Sequence, residues 1–364
     1  MSSLIVEVCK VLEVSPHPNA DKLDIITVKG WNCIVGRNQF QVGDVGVFIP
    51  PDCVLPSEMI EEYNLSYLKK NGRTGTVKLR GYISQGLFLP VNFPVTIGED
   101  LASKLGITKY EQPEPQYNMN SGGKIVSKKK INPMFDKYTD IENIKHYTDV
   151  FRPDDVVVIT EKLHGTNARF GNLPIVVNST ATIIERLSAW YRKHILGKTH
   201  EFVYGSHNVQ KGVSVNKQNY YGEDVWGRIA NKYSLKDKLP NGYIFYGEIV
   251  GQGIQDLTYG LVTPQLFIFD IKNVETGEYL DWDLVEEWCY HLDLPIVPTL
   301  GVGRFGDCEL DYYTGGNSTL YPKQVREGCV VKSYEEENER RIGRKILKSI
   351  NPEYLLRKDG TEFK

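Results

Sequence analysis

The sequence VVVITEKLHGTN, at residues 156–167, decides the predicted fold of the longer part of the chain. Four β-branched apolar residues form a run typical of a buried strand, and Glu161, Lys162 and a polar turn follow it. A lysine at a strand end beside a glycine can meet a ligand with little steric obstruction, as a nucleophilic lysine requires. The Lys-x-x-Gly spacing alone proves nothing, because it also occurs at Lys69 and Lys78.

Short strand-like runs and longer helical patterns alternate on both sides of this segment, which is typical of an α+β domain. The candidate helices lie at 181–196, 225–233 and 284–291. The candidate strands lie at 156–160, 202–204, 243–248, 266–271, 329–333 and 345–349. We expect antiparallel sheets with flanking helices.

The first hundred residues have a different residue pattern, which predicts a separate small β domain. Short β-like runs alternate there with Gly, Pro, Asn and Asp, a pattern that favours an antiparallel barrel or sandwich. Prolines, glycines and a run of lysines then cluster in residues 111–130. We therefore predict a first domain at 1–115, a linker at 116–130 and a second domain at 131–364.

Composition excludes several classes of protein. A chain of 364 residues favours two domains, and a net charge of −3 excludes a globally basic nucleic-acid coat protein but not a local basic groove. No apolar run approaches the roughly 20 residues that span a bilayer, and residues 1–7 lack the pattern of a signal peptide. The six cysteines include no Cys-x-x-Cys pair, so we expect reduced thiols in a cytoplasmic protein and no zinc site.

Four further segments carry charged or aromatic side chains at or beside candidate strands. They contain Glu248, the pair Phe269-Asp270, Glu327 and Lys348. Taken singly, each is more simply an ordinary strand-end charge or a core phenylalanine. Together with Lys162 they make a coherent nucleotide site, in which the aromatic ring stacks on a base, carboxylates contact ribose and metal-bound water, and the distal lysine faces phosphate.

These segments, in this order, resemble the motifs of ATP-dependent RNA ligases, most closely the nick-sealing RNA ligase 2 type. The resemblance spans residues 131–350, and the ordered set is far more specific than any of its members. The matches are KYTDIEN before motif I (137–143), EKLHGTN in motif I (161–167), YGEIVGQGIQ in motif III (246–255), Phe269-Asp270 in motif IIIa, Glu327-Gly328 in motif IV and Lys348 in motif V.

The N-terminal part carries a second resemblance. PHPNADKL, at residues 16–23, resembles the entry loop of OB-fold tRNA-binding domains. An N-terminal OB-fold β-barrel ahead of a nucleotidyltransferase domain with an ATP-grasp-like ligase fold is similar to the fifth RNA ligase family. RNA docking by this domain is favoured over a purely stabilising appendage, and KLRG at 78–81 supplies positive charge.

The resemblance implies ATP, Mg²⁺ or Mn²⁺, and RNA ends, expected as a nicked duplex sealed by a monomer. Lys162 would attack ATP to form lysyl-AMP, AMP would pass to an RNA 5′-phosphate, and a 3′-hydroxyl would then seal the break. The implied catalytic residues are Lys162, Lys348 and Lys345. The implied nucleotide-binding residues are Glu161, His164, Asn167, Glu248, Phe269 and Asp270. The implied metal ligands, directly or through water, are Glu327 and Glu248.

Two positions depart from the family pattern. His207 lies where phage-type enzymes have an arginine after motif I, and its role stays open. Motif V usually has two lysines separated by one residue, but here Ile346 occupies the first place. Lys345 is offset onto the opposite strand face, so Lys348 is favoured over Lys345.

Glu161 is expected to point toward the base, because pairing with Lys162 would stabilise the unreactive ammonium. The run 335–339, which contains four glutamates, is expected to be a solvated hairpin. Two alternatives to an RNA ligase stay open. One is a capping-type nucleotidyltransferase that uses GTP, or a DNA-type relative. The other is an RNA- or tRNA-binding protein whose nucleotidyl site has decayed.

Overall fold

The described part of the chain forms two compact units in a computed structural model. The structure describes residues 4–66, 68, 72–110, 132–176, 183–211 and 224–357. Within these ranges, residues up to 110 form the first unit together with Glu142–Thr148 and 355–357. Residues 132–141 and 149–354 form the second unit. The predicted linker lies outside the described residues, and the predicted domain boundaries stay a prediction.

The first unit is built mainly from short strands. Its helix is α1 (Ser57–Glu62) and a 3₁₀ turn covers Ile144–His146. Its strands are β1 (Glu7–Lys10), β2 (Glu13–Pro16), β3 (Leu23–Val28), β4 (Trp31–Gly36), β5 (Val45–Ile49), β6 (Cys53–Val54), β7 (Thr76–Leu79), β8 (Tyr82–Gln85), β9 (Leu87–Pro90), β10 (Thr108–Lys109) and β11 (Glu142–Asn143).

Antiparallel pairing organises these strands into sheets ordered β1-β5-β9 and β2-β3-β4, with the pairs β6-β10 and β7-β8. Burial alternates along β3 and β4, so one face of each strand packs into the core. Ile26 and Val28 of β3 and Cys33 of β4 are buried there around Trp31. The expected antiparallel strands of the N-terminal part are therefore present.

Glu142–Thr148 belongs to the first unit, although the sequence analysis placed it in the second domain. Lys145 explains this position, because its Nζ donates to the carbonyl of Gly30 at 2.7 Å and lies 4.6 Å from the centroid of the Trp31 ring. The ring of His146 also lies 5.8 Å from the ring of Trp31. These contacts depend on tertiary structure and have no local sequence signal.

The second unit contains long strands, helices and a 3₁₀ turn at Phe305–Asp307. Its strands are β12 (Val156–Lys162), β13 (Thr166–Pro174), β14 (His200–Gly205), β15 (Tyr243–Val250), β16 (Gln265–Asn273), β17 (Thr299–Arg304), β18 (Gly328–Ser333), β19 (Asn338–Glu339), β20 (Gly343–Arg344) and β21 (Ile346–Ile350). Its helices are α2 (Ile183–His194), α3 (Val225–Lys232), α4 (Leu235–Lys238), α5 (Trp282–His291), α6 (Leu310–Thr314) and α7 (Pro352–Leu355).

Two antiparallel sheets form the framework of this unit. We call the strands in the order β21-β18-β12-β17 the lysine sheet, because they carry Lys162 and Lys348. We call the strands in the order β14-β13-β15-β16 the phenylalanine sheet, because they carry Phe269. Strands β19 and β20 form a separate hairpin.

The two sheets pack face to face. Buried Ile346 and partly buried Val330 of the lysine sheet lie in one cluster with Ile244, Tyr246 and partly buried Phe269 of the phenylalanine sheet. Interdigitating side chains from two inner faces are the usual core of stacked sheets. The inner face of the lysine sheet therefore looks toward Phe269.

Most elements expected in this unit are present, but the strands β13 and β17 and the short helices α4, α6 and α7 were missed. Strand β13 follows motif I directly, and its sequence TNARFGNLP contains Asn, Gly and Pro, which locally favour turns. Pairing with β14 on one side and β15 on the other overrides that preference. Strand β17 contains two glycines and pairs with β12. No helix among the described residues is both long and apolar enough to cross a bilayer.

Candidate active site

The register of the lysine sheet decides which side chains share its inner face. Lys162 lies opposite Gly328 of β18, and two residues along the same strand Val330 lies opposite Lys348 of β21. Directly opposed residues share a face, and so do residues two apart on one strand. Lys162 and Lys348 therefore lie on the same face as Val330, which packs toward the phenylalanine sheet, and Glu161 lies on the other face.

Gly328 brings these strands close together. A Cβ at this position would lie 2.1 Å from the carbonyl oxygen of Ser349 in β21, far inside contact distance. Its φ of +152° also lies in a region that other residues rarely adopt. Only glycine fits here without moving β21.

Lys162 forms an ion pair that the sequence analysis did not foresee. Its Nζ donates to Oε1 of Glu327, the residue just before β18. The lysine side chain is 29% exposed and the glutamate 4%. The carboxylate stabilises the ammonium form. Lys162 is thus held at the end of its strand and is partly open to solvent.

Glu161 turns away from Lys162, as expected. Its Oε2 accepts hydrogen bonds from the backbone N of Thr319 at 2.9 Å and from Oγ1 of the same residue at 2.6 Å. The Nε of Arg326 lies 4.0 Å from the same oxygen. Its Oε1 is buried without a hydrogen-bond partner among the described residues, so one acceptor of this carboxylate is unsatisfied there.

The turn after Lys162 is held by the strand that carries Glu248. The backbone N of Gly165 donates to Oε1 of Glu248 at 3.1 Å, and a Cβ at 165 would lie 2.2 Å from the carbonyl oxygen of Ile249. Asn167 lies opposite Glu248 in the β13–β15 ladder, so their side chains share a face. The backbone carbonyl of Asn167 accepts from Nε1 of Trp226 at 3.1 Å. Glu248 and Asn167 therefore lie together beside the turn.

His164, which the resemblance places at the phosphate end, has partners within the protein at its backbone N and at both ring nitrogens. The ring is buried, with Nε2 2.9 Å from Oδ1 of Asp256 and Nδ1 2.8 Å from the hydroxyl of Tyr354. The backbone N of His164 donates to the hydroxyl of Tyr259 at 2.6 Å. Both ring nitrogens are engaged within the protein, so the geometry assigns His164 to holding the turn. Sequence reasoning missed these three partners, although two of them lie in the polar segment that follows motif III.

Asp270 is likewise engaged within the protein, in a buried ionic cluster that we define as Asp270, Lys332, Arg344 and Glu336. Its Oδ2 accepts from Arg344 at 2.8 Å and from the hydroxyl of Tyr138 at 2.7 Å, and its Oδ1 accepts from Lys332 at 3.2 Å. Burial alone would raise the pKa of Asp270, but Arg344 and Lys332 outweigh it and hold the pKa below its usual value. The carboxylate has no accessible surface for a nucleotide.

The acidic run at 335–339 is only partly the solvated hairpin that was expected. Strands β19 and β20 do pair as a hairpin beside it. Glu336, however, belongs to the ionic cluster, because its Oε2 accepts from Nε of Arg344 at 3.0 Å and its side chain is 18% exposed. A charge run gives no local sign of such a distant partner.

Phe269 lies between the two sheets with part of its surface exposed. Its ring meets the ring of Tyr138 edge-on, with centroids 4.8 Å apart. Strands β15 and β16 have an irregular register here, because Tyr246 pairs with Asp270 and Gly247 pairs with Ile268. Phe269 is therefore skipped in the ladder, and it packs in the same hydrophobic cluster as Val330 of the lysine sheet.

Lys345 and His207 lie apart from Lys162. The Nζ of Lys345 pairs with Asp155 at 2.7 Å and Glu337 at 2.8 Å. Burial lowers the pKa of Lys345, but these two carboxylates outweigh it and raise the pKa above its usual value. His207 lies 3.9 Å from Asp140, and burial lowers its pKa. The catalytic role of Lys345 stays a prediction, and Lys348, on the face of Lys162, is favoured over it.

Two carboxylates beside the turn fit a divalent cation. Among the described residues, no group of three or more His, Cys, Asp or Glu side chains is arranged to hold a metal. Glu327 and Glu248 contact the two ends of the turn, at Lys162 and Gly165. Mg²⁺ keeps several waters and needs only one or two carboxylates, so this donor set fits such an ion.

Comparisons with known proteins show the family and the fold of the chain. A family model described as RNA ligase matches residues 155–350, more than half of the chain. The chain belongs to the RNA ligase family. A model of an OB-fold domain matches residues 5–91, so the first unit contains an OB-fold domain. No curated protein sequence matches the chain.

Solved structures with the same fold come from Naegleria gruberi RNA ligase. The enzyme with PPi is 22% identical, with a TM-score of 0.69 over 97% of this chain and 98% of that chain. A mutant with ATP and Mn is 21% identical, with a TM-score of 0.69 over 96% of this chain and 98% of that chain. These likenesses extend the shared fold over both units and confirm the α+β class.

Proposed function

We propose that this member of the RNA ligase family joins RNA 3′-hydroxyl and 5′-phosphate ends with ATP, through AMP linked covalently to Lys162. The observation that supports the proposal is the register of the lysine sheet, in which Lys162 and Lys348 share the face of Val330, a residue that packs in one cluster with Phe269. Lys162 is partly open to solvent. An aromatic ring and two lysines around one space can accept a purine base and its phosphates.

In the first step, the neutral amine of Lys162 attacks the α-phosphorus of ATP. A P–N bond forms, the bond to the β-phosphate oxygen breaks, pyrophosphate leaves, and the nitrogen loses a proton to solvent. Deprotonation of a free lysine at pH 7.5 costs about 4 kcal/mol of free energy. The Glu327 contact adds to this cost, whereas the positive charge of Lys348 on the same face opposes the ammonium.

The next two steps transfer AMP and seal the strand. An oxygen of the RNA 5′-phosphate attacks the phosphorus of lysyl-AMP, so the P–N bond breaks and Lys162 is released with a proton. The 3′-hydroxyl then attacks the activated 5′-phosphate, the phosphodiester forms and AMP leaves. Glu248 and Asn167 lie together beside the turn, where they can bind ribose or phosphate.

Glu327 and Glu248 would hold a divalent cation directly or through water. When bound, such an ion supplies positive charge that neutralises phosphate and offsets the hold of Glu327 on the ammonium of Lys162. We assign Phe269 to stacking on adenine and the open acceptor of Glu161 to the amino group of the base.

We further propose a nicked duplex as the substrate, a monomer as the working form, and a cytoplasmic, reducing location. All six cysteines are free, and burial raises the pKa of Cys9, Cys33 and Cys53 to about 12, so these thiols resist oxidation. The OB-fold domain is proposed to dock the RNA. Residues 1–115 can be deleted to test this, since lysyl-AMP formation should persist while sealing weakens.

Labelled nucleotides test the central claim. The full chain is incubated with Mg²⁺ and α-labelled ATP or GTP, separated under denaturing conditions, and the adduct is located by mass spectrometry. We expect label from ATP alone, at Lys162, and none in Lys162→Ala. Label from GTP would instead support a capping-type transferase. Absence of label from both would support an RNA-binding protein, and label retained in Lys162→Ala would remove this residue from its role.

A further inference from the structure

The β7–β8 hairpin of the first unit ends in an exposed tip that the site does not use. Leu79 lies opposite Tyr82, and the two residues that join the strands, Arg80 and Gly81, have φ values of +49° and +96°. Positive φ at both positions is the signature of a tight type I′ turn, whose twist matches that of the strands. The residues from 77 to 82 are all exposed. The hairpin is therefore regular and projects its tip into solvent.

The base of this hairpin is anchored to β4. The hydroxyl of Ser84 accepts from the backbone N of Ile34 at 3.0 Å, and Sγ of Cys33 donates to the carbonyl of Gln85 at 3.3 Å. All four residues lie in or beside the core of the first unit. The hairpin is thus fixed at its base by bonds to a second sheet.

The tip is fixed separately by the loop that contains PHPNADKL. Nδ1 of His17 accepts from the backbone N of Asn19 at 3.1 Å, so its Nε2 carries the proton that it donates to the carbonyl of Leu79 at 3.1 Å. Nδ2 of Asn19 donates to the carbonyl of Arg80 at 2.9 Å, and the rings of His17 and Tyr82 meet edge-on at 5.0 Å. His17 is 4% exposed. The buried ring of His17 therefore holds the exposed tip in place.

The chemistry of the tip suits a polyanion. Lys78 and Arg80 are its charged residues, and residues 76–85 contain no acid. The alternation of the strands puts Val77 and Leu79 on one side together with Tyr82, and these three side chains are 38–44% exposed. By the same alternation Lys78 projects on the other side of the hairpin, and Arg80 lies in the turn that joins the two strands. Two cations and an exposed aromatic ring on one rigid tip suit contact with the phosphates and sugars of a nucleic acid.

We propose that the tip of the β7–β8 hairpin contacts the RNA backbone, with Arg80 and Lys78 on phosphates, Tyr82 against a sugar or base, and His17 and Asn19 as positioning residues. The proposal rests on the proposed RNA end joining and adds the contact surface. Charge complementarity carries it, because the tip has two cations and no acid in a chain whose net charge is −3.

Salt dependence of binding tests the contact. The full chain and a Lys78→Gln/Arg80→Gln variant are titrated against a nicked RNA duplex with a 5′-phosphate, by fluorescence anisotropy at several salt concentrations. Each lost phosphate contact should lower the slope of log K against log salt by about 0.7 to 0.9, so the double variant should bind about 25- to 60-fold more weakly at 0.1 M salt. Lys10→Gln, an exposed cation of β1, is the matched control and should change neither quantity.

The positioning residues have their own readout. Asn19→Ala removes one bond to the tip without changing charge, so we expect weaker binding with an unchanged salt slope. An unchanged affinity and slope in the double variant, or an equal loss in Lys10→Gln, would overturn the proposal. Transfer of labelled AMP to the parent protein is measured in parallel. If the parent protein takes no AMP label, the proposed function is wrong. If it takes label but the double variant binds RNA as the parent does, only the proposed role of the tip is wrong.

Discussion

Two lysines on the same face of the same sheet have opposite surroundings. Lys332 lies opposite Val158 of β12, four residues before Lys162 on that strand. It is 5% exposed, bonds to Asp270 and Glu336, and lies 4.9 Å from the centroid of the Trp282 ring. Lys162 is 29% exposed, at the open end of the strand, and pairs with Glu327.

The difference separates a structural ammonium from a candidate nucleophile. Lys332 and Arg344 together balance the charges of Asp270 and Glu336, so removal of any one of them leaves a buried charge uncompensated. Lys162 can be approached from solvent, and loss of its charge leaves Glu327 beside an open space. In the sequence the two lysines look alike, because each follows a run of apolar strand residues. Exposure and the number of compensating charges distinguish them.

The largest effects are expected when each of the two lysines is replaced by alanine. Lys162→Ala should lower the rate of adenylylation at least about 10⁴-fold, because no other group supplies the attacking nitrogen. Its melting temperature should stay near that of the parent. Lys332→Ala should melt at a much lower temperature, while its folded molecules still take label from ATP. Normal adenylylation without Lys162 would break the distinction.

The ionic cluster should also be visible in stability alone. Asp270→Asn leaves Lys332 and Arg344 with one acid and should lower the free energy of unfolding by about 3 to 5 kcal/mol at pH 7. Since the folded pKa of Asp270 is below the usual 3.8, its contribution is complete above that pH and is lost as the pH falls further. Urea unfolding at pH 7 measures the loss of stability in the variant, and the comparison of pH 7 with pH 3 measures the pH dependence. A variant as stable as the parent at pH 7 would contradict the assignment.

Tyr138 links the ionic cluster to the candidate base site, and a matched pair of variants separates the two roles. Tyr138→Phe loses the hydroxyl bond to Asp270 and should cost about 1.5 to 3 kcal/mol of stability, with the KM for ATP within about two-fold of the parent. Tyr138→Ala also removes the ring that packs on Phe269 and should raise that KM. Equal KM values in both variants would argue against base stacking by Phe269.

The smallest effect is expected at Lys345. Its partners are Asp155 and Glu337, two acids other than the Glu327 that pairs with Lys162. Lys345→Ala should therefore seal nicked RNA within about three-fold of the parent rate. Lys348→Ala, three residues along the chain and on the face of Lys162, should lose most of its adenylylation. The reverse ranking would favour Lys345 over Lys348.

Much of the fold followed from the sequence because apolar alternation and motif order report local structure. The strand ending at Lys162, the helices α3 and α5, and the opposite directions of Glu161 and Lys162 were all predictable. Period-two alternation fixes the last of these without any knowledge of the tertiary fold.

What the sequence did not reveal depends on partners distant in the chain. The motifs predict nucleotide contacts for His164 and Asp270, and this stays a prediction, but the bonds of these residues to Tyr354 and Arg344 had no signal in the sequence. The Glu327 contact with Lys162 joins residues 165 positions apart. Such contacts are set by strand pairing between distant segments, which a local pattern does not encode.

Gly328 has a consequence for how the two lysines influence each other. Since this residue has no Cβ, main chain meets main chain between the strands, and no rotamer can widen or narrow the gap. Repulsion between like charges depends on their separation, and the fixed spacing of the strands limits how far the two lysine side chains can vary it. That limit is present in the fold before any nucleotide arrives.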